Sequence, residues 1–394
     1  MSQHSPFPIY RFRFRVVTPL FLGGADPDRR AELRPPSIKG VLRDWYRLLV
    51  GLEQAVEKEA QLFGGSAAGA GQSPFLLAID RPLLGEEPWE PPRGDREGIS
   101  GLGYLGYSLK LGRNDRKAIP AEKSFELEAA FPRGGDDEQH AALRCSVWLL
   151  AHLGGLGTRS RRGFGSLSLE EWLGPDEDRE LSRLPLLATA PDAQSAGRSL
   201  RRGMEALRQW APGITEGSSP DSRPLGFQLA GARFLVVRGP NRAGAWDRAG
   251  EALEHVGAAM QRFRRQPLLD GFASAQMLAR GERLPKAPGR AAFGLPLSYR
   301  TRKGTDTLEP YLPGDPKHGG RGQEYRRLPS PLLFHVQQTR GGFVPVVTLL
   351  AGAWPGRDVP VHVRGRGCPA DPENQVLEAF LDRLVDDGAE EVKL

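Results

Sequence analysis

YRFRFRVV, Tyr10 to Val17, places Tyr10, Phe12, Phe14 and Val16 on one side of an extended chain and Arg11, Arg13 and Arg15 on the other. A period of two is that of a half-buried strand. Outward from it, a glycine-containing loop, LFLGGADPDRRAELRPP, leads to Ser37, placed to cap a helix that runs to about Val50 with Pro35 and Pro36 at its entry. SPFLLAID (Ser73 to Asp80), GYLGYSLKL (Gly103 to Leu111) and SFELEAAF (Ser124 to Phe131) read as further strands. Residues 137–153 form an amphipathic helix through Ala141, Leu143, Val147, Leu150 and Leu153. Strand, helix, strand, strand, helix, strand, up to about Trp172, is the order of a split βαβ, ferredoxin-like unit.

Residues 174–224 are polar and rich in Pro and Ser, apart from a short helical piece around Leu200 to Trp210, and read as a linker or peripheral helices. A second unit opens with a strand, GFQLAGARFLVV (Gly226 to Val237), and a helix, AWDRAGEALEHVGAAMQRF (Ala245 to Phe263). PLLFHVQQ and FVPVVTLL (Pro331 to Gln338, Phe343 to Leu350) pair as a hairpin, and Pro372 to Asp386 closes the chain as an acidic helix. The expectation is an α+β chain of two ferredoxin-like, RRM-like domains, 1–173 and 225–394. A glycine-rich loop and irregular insertions interrupt them, one being a surface excursion at 82–98.

The 394 residues carry 54 Lys+Arg against 48 Asp+Glu, a formal charge of +6. Of the bases 45 are arginine, the side chain suited to forked contacts with phosphate and to stacking on bases; high genomic GC content is the bland cause. The stretch from Cys368 to Leu394 has 8 acids and 2 bases, so the rest is more basic than the total suggests. Such polarity suits a polyanionic partner. Two cysteines make neither a disulfide framework nor a multi-thiolate metal site, and fit a reducing cytoplasm. No apolar run reaches the ~18–20 residues of a membrane span, and the start lacks a signal-peptide core.

Two segments carry the functional reading. LGGLGTRSRRGFGSLSL, Leu153 to Leu169, follows a helix and enters a strand; glycines including Gly155 and Gly157 allow positive φ and close approach, and successive amides in such a turn form anion nests. Arg159, Arg161 and Arg162 add three charges with no acid between Gly154 and Ser166. Phosphate is the natural occupant; the structural alternative is a helix C-cap followed by a solvated arginine loop. Ser160 breaks GxGxxG, which disfavours a nucleotide cofactor. RGFGSLSL partly matches RNP1, but Ser166 and Leu169 replace aromatics, so Phe164 reads as core or hinge. The second segment, RPPSIKGVLRDWYRLL, offers a helix start beside Lys39 and Arg43, which with Arg47 form a positive stripe.

TPLFLGGADP and RPPSIKGVLRDWYR near the start, paired with GGLGTRSRRGFGSL after a helix, resemble the RAMP superfamily of CRISPR proteins. RPPSIKG before an aromatic-rich helix, with FGLP (Phe293 to Pro296) and RRLPSPLLFHV (Arg326 to Val336), resembles the first RAMP subunit of the type III-B, Cmr-type, RNA-targeting complex. The resemblance implies a cytoplasmic, non-catalytic subunit without cofactor, whose partners are guide RNA, target RNA and other RAMP subunits of the Cmr-type complex. It would contact the 3′ part of the guide or the guide–target duplex and help capture target RNA. By motif, the RNA contacts would be Ser37, Lys39, Arg43, Gly155, Gly157, Arg159, Arg161 and Arg162, with Arg327 a weaker member. The three loop arginines are expected to be replaceable by Ala with little loss of folding.

GGDD at Gly134 to Asp137 leads into a helix rather than a hairpin, so its acids read as an N-cap and first-turn residues, not a metal site. Asp26 and Asp28 lie in the loop after the first strand, where related RAMP subunits place a cleaving aspartate; a ribonuclease using them is the enzymatic alternative, and an adaptor without RNA contact a third reading. His4, His152 and His255 lack a neighbouring base set, and HxH, HExxH and CxxC are absent, leaving no metal site in view.

Overall fold

The computed structural model describes residues 6–26, 29–50, 52–65, 71–92, 99–110, 116–175, 183–210, 227–266, 269, 271–282, 284–285, 287–295, 297–301, 304–310, 329–352, 361–363, 366–368 and 375–394. Asp28, Arg327 and His4 lie outside them.

In chain order the first half forms β1 (Ile9–Val16), β2 (Ala31–Leu33), α1 (Pro35–Val50), α2 (Leu52–Phe63), β3 (Leu76–Ile79), β4 (Leu83–Gly85), α3 (Gly101–Leu105), β5 (Ser124–Ala130), α4 (Asp137–Leu153) and β6 (Leu167–Leu173). The main sheet is antiparallel in the order β3-β5-β1-β6, the ferredoxin-like arrangement. Alternation in β1 sends Tyr10, Phe12, Phe14 and Val16 into the core, each at most 1% exposed. Phe14 faces Phe125 across the β1–β5 ladder with ring centroids 5.3 Å apart. Burying each such ring stabilises the fold by roughly 1.5–3 kcal/mol. The opposite face holds Arg11–Glu128 at 3.2 Å, Arg13–Glu171 at 3.8 Å and Arg15–Glu122 at 3.4 Å. Where an RNA-recognition sheet would present aromatics, this one presents charge pairs.

The second half adds α5 (Ala193–Trp210), β7 (Gln228–Val236), α6 (Ala249–Arg264), α7 (Gly271–Arg280), β8 (Leu297–Thr301), β9 (Gly304–Pro310), β10 (Leu332–Thr339), β11 (Gly342–Ala351), β12 (Val361–Val363), β13 (Arg366–Cys368), α8 (Gln375–Asp386) and β14 (Glu390–Glu391). Its main sheet, β10-β11-β7-β14, repeats the first sheet's order with α6 and α8 as the crossovers. A further sheet, β13-β12-β9-β8, is inserted around the β10–β11 hairpin and was not visible in the residue pattern.

Three local readings are corrected. Helix α1 begins at Pro35, so Ser37 is inside its first turn and donates its amide to the Arg34 carbonyl (3.0 Å) instead of capping; proline suits a first helical turn because its missing N–H would have no partner there. Gly103 to Leu111 begins as helix α3 and a 3₁₀ turn, Tyr107–Lys110, not a strand. The helix near Leu200 starts earlier, at Ala193. GGDD does cap: the Asp136 carboxylate accepts from Gln139 N (2.8 Å), and Gln139 returns the bond to Asp136 N.

The α3 correction has a tertiary cause. Ser100 caps the helix through Gly103 N (2.9 Å), and the Glu254 carboxylate of α6 accepts from Gly101 N (2.6 Å) and Leu102 N (2.7 Å). Gly101 and Gly257 touch; a Cβ on Gly101 would come 2.3 Å from Ala258 N. Glu254→Ala strands two half-buried amides and is expected to cost about 2–3 kcal/mol, with Glu254→Gln losing less, as read from urea unfolding midpoints.

Candidate nucleic-acid interface

The glycine–arginine loop is wedged between the two main sheets. Arg162 and Phe334 form a parallel bridge, Phe334 N donates to Arg161 O (3.2 Å), and Val336 N donates to Ser166 Oγ (3.0 Å). Thr18 Oγ1 donates to Gly163 O (2.6 Å) and accepts from Ser166 N (2.9 Å). Gly157 adopts φ +81° with the Phe21 carbonyl 2.2 Å from where a Cβ would stand, so only glycine fits. Phe164 is fully buried edge-on to Trp89 (5.1 Å) and Phe21 (5.6 Å), which makes it core. Trp89 thereby ties part of the 82–98 excursion to the loop; residues 93–98 lie outside the described set. Several amides of the expected nest bond protein carbonyls: Leu156 N to Gly165 O, Thr158 N to Phe21 O and Gly165 N to Pro19 O.

The first segment meets this loop through α1. A Cβ on Gly154 would stand 2.6 Å from Trp45 Nε1, and the charge of Arg161 is felt by Asp44. The positive stripe, however, is largely neutralised by α2. Glu59 pairs with both Arg43 (3.1 Å) and Arg47, and Asp44 also holds Arg47 (2.9 Å). Arg43 further donates to the Phe63 and Gly64 carbonyls at 3.2 and 2.7 Å, securing the end of α2. Lys39 lies over Phe75 at 5.2 Å, and burial with the nearby Arg43 lowers its pKa. Ser37 is half-buried, and Gly155 is packed against the Phe164 and Gly165 carbonyls.

The loop arginines have three different fates. Arg161 donates to Ser330 O (2.6 Å) and lies over Phe227, its pKa lowered by burial. Arg162 reaches the Phe293 carbonyl and Met260 Sδ (3.9 Å). Burial first, then Arg264, Arg159 and Arg161, pushes its guanidinium down to about 9, still charged at pH 7. Arg159, at φ +66°, donates to Ser108 Oγ (2.8 Å) and stacks on Tyr107 at 4.9 Å, a ring 57% exposed. A non-glycine residue held there is a backbone cost of the kind met at binding sites.

These groups converge on a cleft of about 500 Å³ between the loop, α3 and the second half. Arg159, Arg161, Arg162 and Arg264 line it with Tyr104, Tyr107 and Ser330, and no carboxylate is among its described lining residues. Tyr104, Tyr107 and Arg264 were missed by sequence reasoning; only the fold brings them to the loop. The arrangement can hold an anion on guanidiniums and a flat ring on Tyr107. Asp26 is instead 46% exposed and 3.5 Å from Arg29, and no metal-holding cluster of His, Cys, Asp and Glu occurs among the described residues. His152 and His335 are fully buried in the seam. No described helix is long and apolar enough to cross a membrane.

Residues 13–168 match the family model of the RAMP superfamily. Two proteins of Pyrococcus furiosus, CRISPR system Cmr subunits Cmr1-2 and Cmr1-1, are each 28% identical to the chain. The first match runs over 186 residues, 40% of this chain and 94% of that protein; the second runs over 149 residues, 35% and 40% respectively. The crystal structure of apo Cmr1 from P. furiosus superposes with a TM-score of 0.57 at 18% identity over 98% of both chains. A chain of the cryo-EM structure of the type III-B Cmr-beta complex bound to cognate target RNA superposes with a TM-score of 0.51 at 12% identity, over 96% of this chain and 99% of that one. At these identities the superpositions establish the shared fold.

Proposed function

We propose, from the match of residues 13–168 to the RAMP superfamily model, that this chain is a non-catalytic, RNA-binding subunit of a type III-B CRISPR effector complex. It contacts the 3′ part of the guide RNA or the guide–target duplex and helps to capture target RNA. The chain then divides into a RAMP domain over 1–173, a connecting segment over 174–224 and a second RAMP domain over 225–394. Its partners are guide RNA, target RNA and neighbouring RAMP subunits.

The observation that carries this reading is the arginine–tyrosine cleft with no acid in its described lining. Base pairing supplies sequence, and the protein reads phosphate and shape. Within the cleft Arg159 and Tyr107 are the contacts most open to ligand, while Arg161 and Arg162 supply field from a fixed, buried position.

The test is single-stranded RNA binding by the purified chain over a salt series, with a cleavage gel from the same tubes. Arg159→Gly with Tyr107→Ala is the informative variant, because glycine relieves the positive φ and both side chains sit at the cleft mouth. Losing one phosphate contact should reduce the slope of log affinity on log salt by about 0.7. Losing one stacked base should cost ~1–3 kcal/mol, about tenfold or more in affinity. Unchanged binding would remove the cleft from the interface. Metal-dependent cleavage lost in Asp26→Ala, Asp28→Ala would replace this reading with a ribonuclease.

A further inference from the structure

Helix α5 lies in the segment that reads from sequence as a linker, and it bridges the two halves. Gly203 sits against Trp148 of α4, and Gly197 against Val236 of β7. Ala193, Ala196, Leu200, Met204 and Leu207 are buried, so its entire apolar stripe is used for docking. The outward face is Gln194, Arg198, Arg201, Arg202, Glu205 and Gln209. Eighteen residues make this face about 27 Å long.

Two turns of the second half extend it. Ala193 N donates to Ala243 O (3.0 Å), which brings the loop carrying Arg242 to the start of α5, and Arg340 N donates to Ala190 O (2.8 Å), which brings the β10–β11 turn there too. Arg242 and Arg340 are exposed. Arg201 is held by Glu205 (2.9 Å), whereas Arg198 and Arg202 donate to the Ser195 and Ser199 hydroxyls on their own helix; the Asp192 carboxyl, its pKa lowered chiefly by its bonds to Ser195, also feels the charge of Arg198 without pairing with it. Among the described residues Arg198, Arg202, Arg242 and Arg340 form no ion pair.

We infer that Arg198, Arg202, Arg242 and Arg340 form a second, sequence-independent track for an RNA phosphate backbone, running across the seam and separate from the arginine–tyrosine cleft. The inference rests on the RNA-binding reading and extends it to a surface not built from the glycine–arginine loop. Phosphate is favoured over an acidic protein because the exposed face of α5 offers no apolar or aromatic anchor. Protein interfaces draw their energy from such buried anchors, whereas a nucleic-acid backbone binds through counterion release alone. Arginine also meets phosphate oxygens with two parallel donors.

The full chain is compared with Arg198→Gln, Arg202→Gln and with Arg242→Gln, Arg340→Gln by binding of labelled single-stranded RNA over a salt series. All four side chains are on the surface, so melting temperatures should be unchanged. Each double variant should lower the salt slope by up to about 1.4, two contacts at about 0.7 each, and weaken low-salt binding by about tenfold. The Arg201→Gln control should change little, since Glu205 already holds that charge. Wild-type affinity for RNA together with unchanged slopes in both double variants would overturn the α5 track and leave the cleft standing. Absence of wild-type affinity would overturn the RNA-binding reading itself. Equal competition by polyglutamate at matched ionic strength would assign the face to an acidic protein and overturn the track.

Discussion

Arg162→Met should give a free protein at least as stable as the wild type, by up to about 2 kcal/mol, and a weaker binder of RNA. The guanidinium is half-buried in the cleft wall, and burial first, then the charges of Arg264, Arg159 and Arg161, push its pKa down to about 9. The sign follows: a base whose folded pKa lies below its unfolded one costs stability throughout the range below about 9, and the cost fades as pH rises above that. Replacing a buried charge by an apolar side chain of similar volume is often neutral or stabilising by ~1–4 kcal/mol. Against this stands the bond to the Phe293 carbonyl, worth about 1.5–3 kcal/mol because its donor is charged. Methionine would meet Met260 and Phe293, both already in the core. The same charge strengthens a bound phosphate, so RNA affinity should fall about tenfold while the unfolding midpoint rises. A destabilised variant would show that the carbonyl bond outweighs the charge. Truncation to Ala is a harsher change than Met: at Arg161 and Arg162 it removes a bond to a carbonyl of the second half and leaves a void as well, so the three loop arginines are expected to differ in what their loss costs folding.

The first ferredoxin-like unit is legible because its strands alternate and its helices carry apolar stripes; Tyr10 to Val16 needs no tertiary information to choose its buried face. The glycine–arginine loop is legible as special because five glycines and three arginines between Gly154 and Gly165 serve no regular element. Its partners are not legible. Gly103 to Tyr107 has the small-and-apolar pattern of a strand, and becomes helical because Glu254, some 150 residues away, caps Gly101 and Leu102. The stripe of Lys39, Arg43 and Arg47 reads as free charge until α2 brings Glu59 beneath it. Sequence reports that an arginine is present; which carbonyl or carboxylate it meets depends on contacts between the halves. For that reason the cleft is half-legible: its three loop arginines stand out in the sequence, Arg264 and its tyrosines do not.

Between pH 7 and pH 5 the protein should lose roughly 4 kcal/mol of stability through two histidines in the seam. His152 Nδ1 donates to Gln337 Oε1 (3.0 Å), and His335 Nδ1 donates to Gly154 O (2.7 Å), so each Nε2 must be the bare nitrogen of a neutral ring. Both Nε2 atoms are buried without a hydrogen-bond partner, and a proton there would find no acceptor. Burial accordingly pushes His152 down to about 3 and His335 to about 4, against about 6.5 in the unfolded chain. Below about 6.5 the unfolded state binds protons that the folded state refuses, so stability falls with pH and is flat above it. At pH 5 the gap is about 1.5 units for each ring, or ~2 kcal/mol apiece. His255, lowered by burial and Arg262, adds a smaller part of the same sign. Because His152 is on α4 and His335 and Gln337 are on β10, protonation acts on the joint between the two sheets. Urea unfolding at pH 7, 6 and 5 measures the slope. His152→Gln with His335→Gln should unfold more easily at pH 7 yet lose most of the pH dependence; a double variant as acid-sensitive as the wild type would place the titrating groups elsewhere.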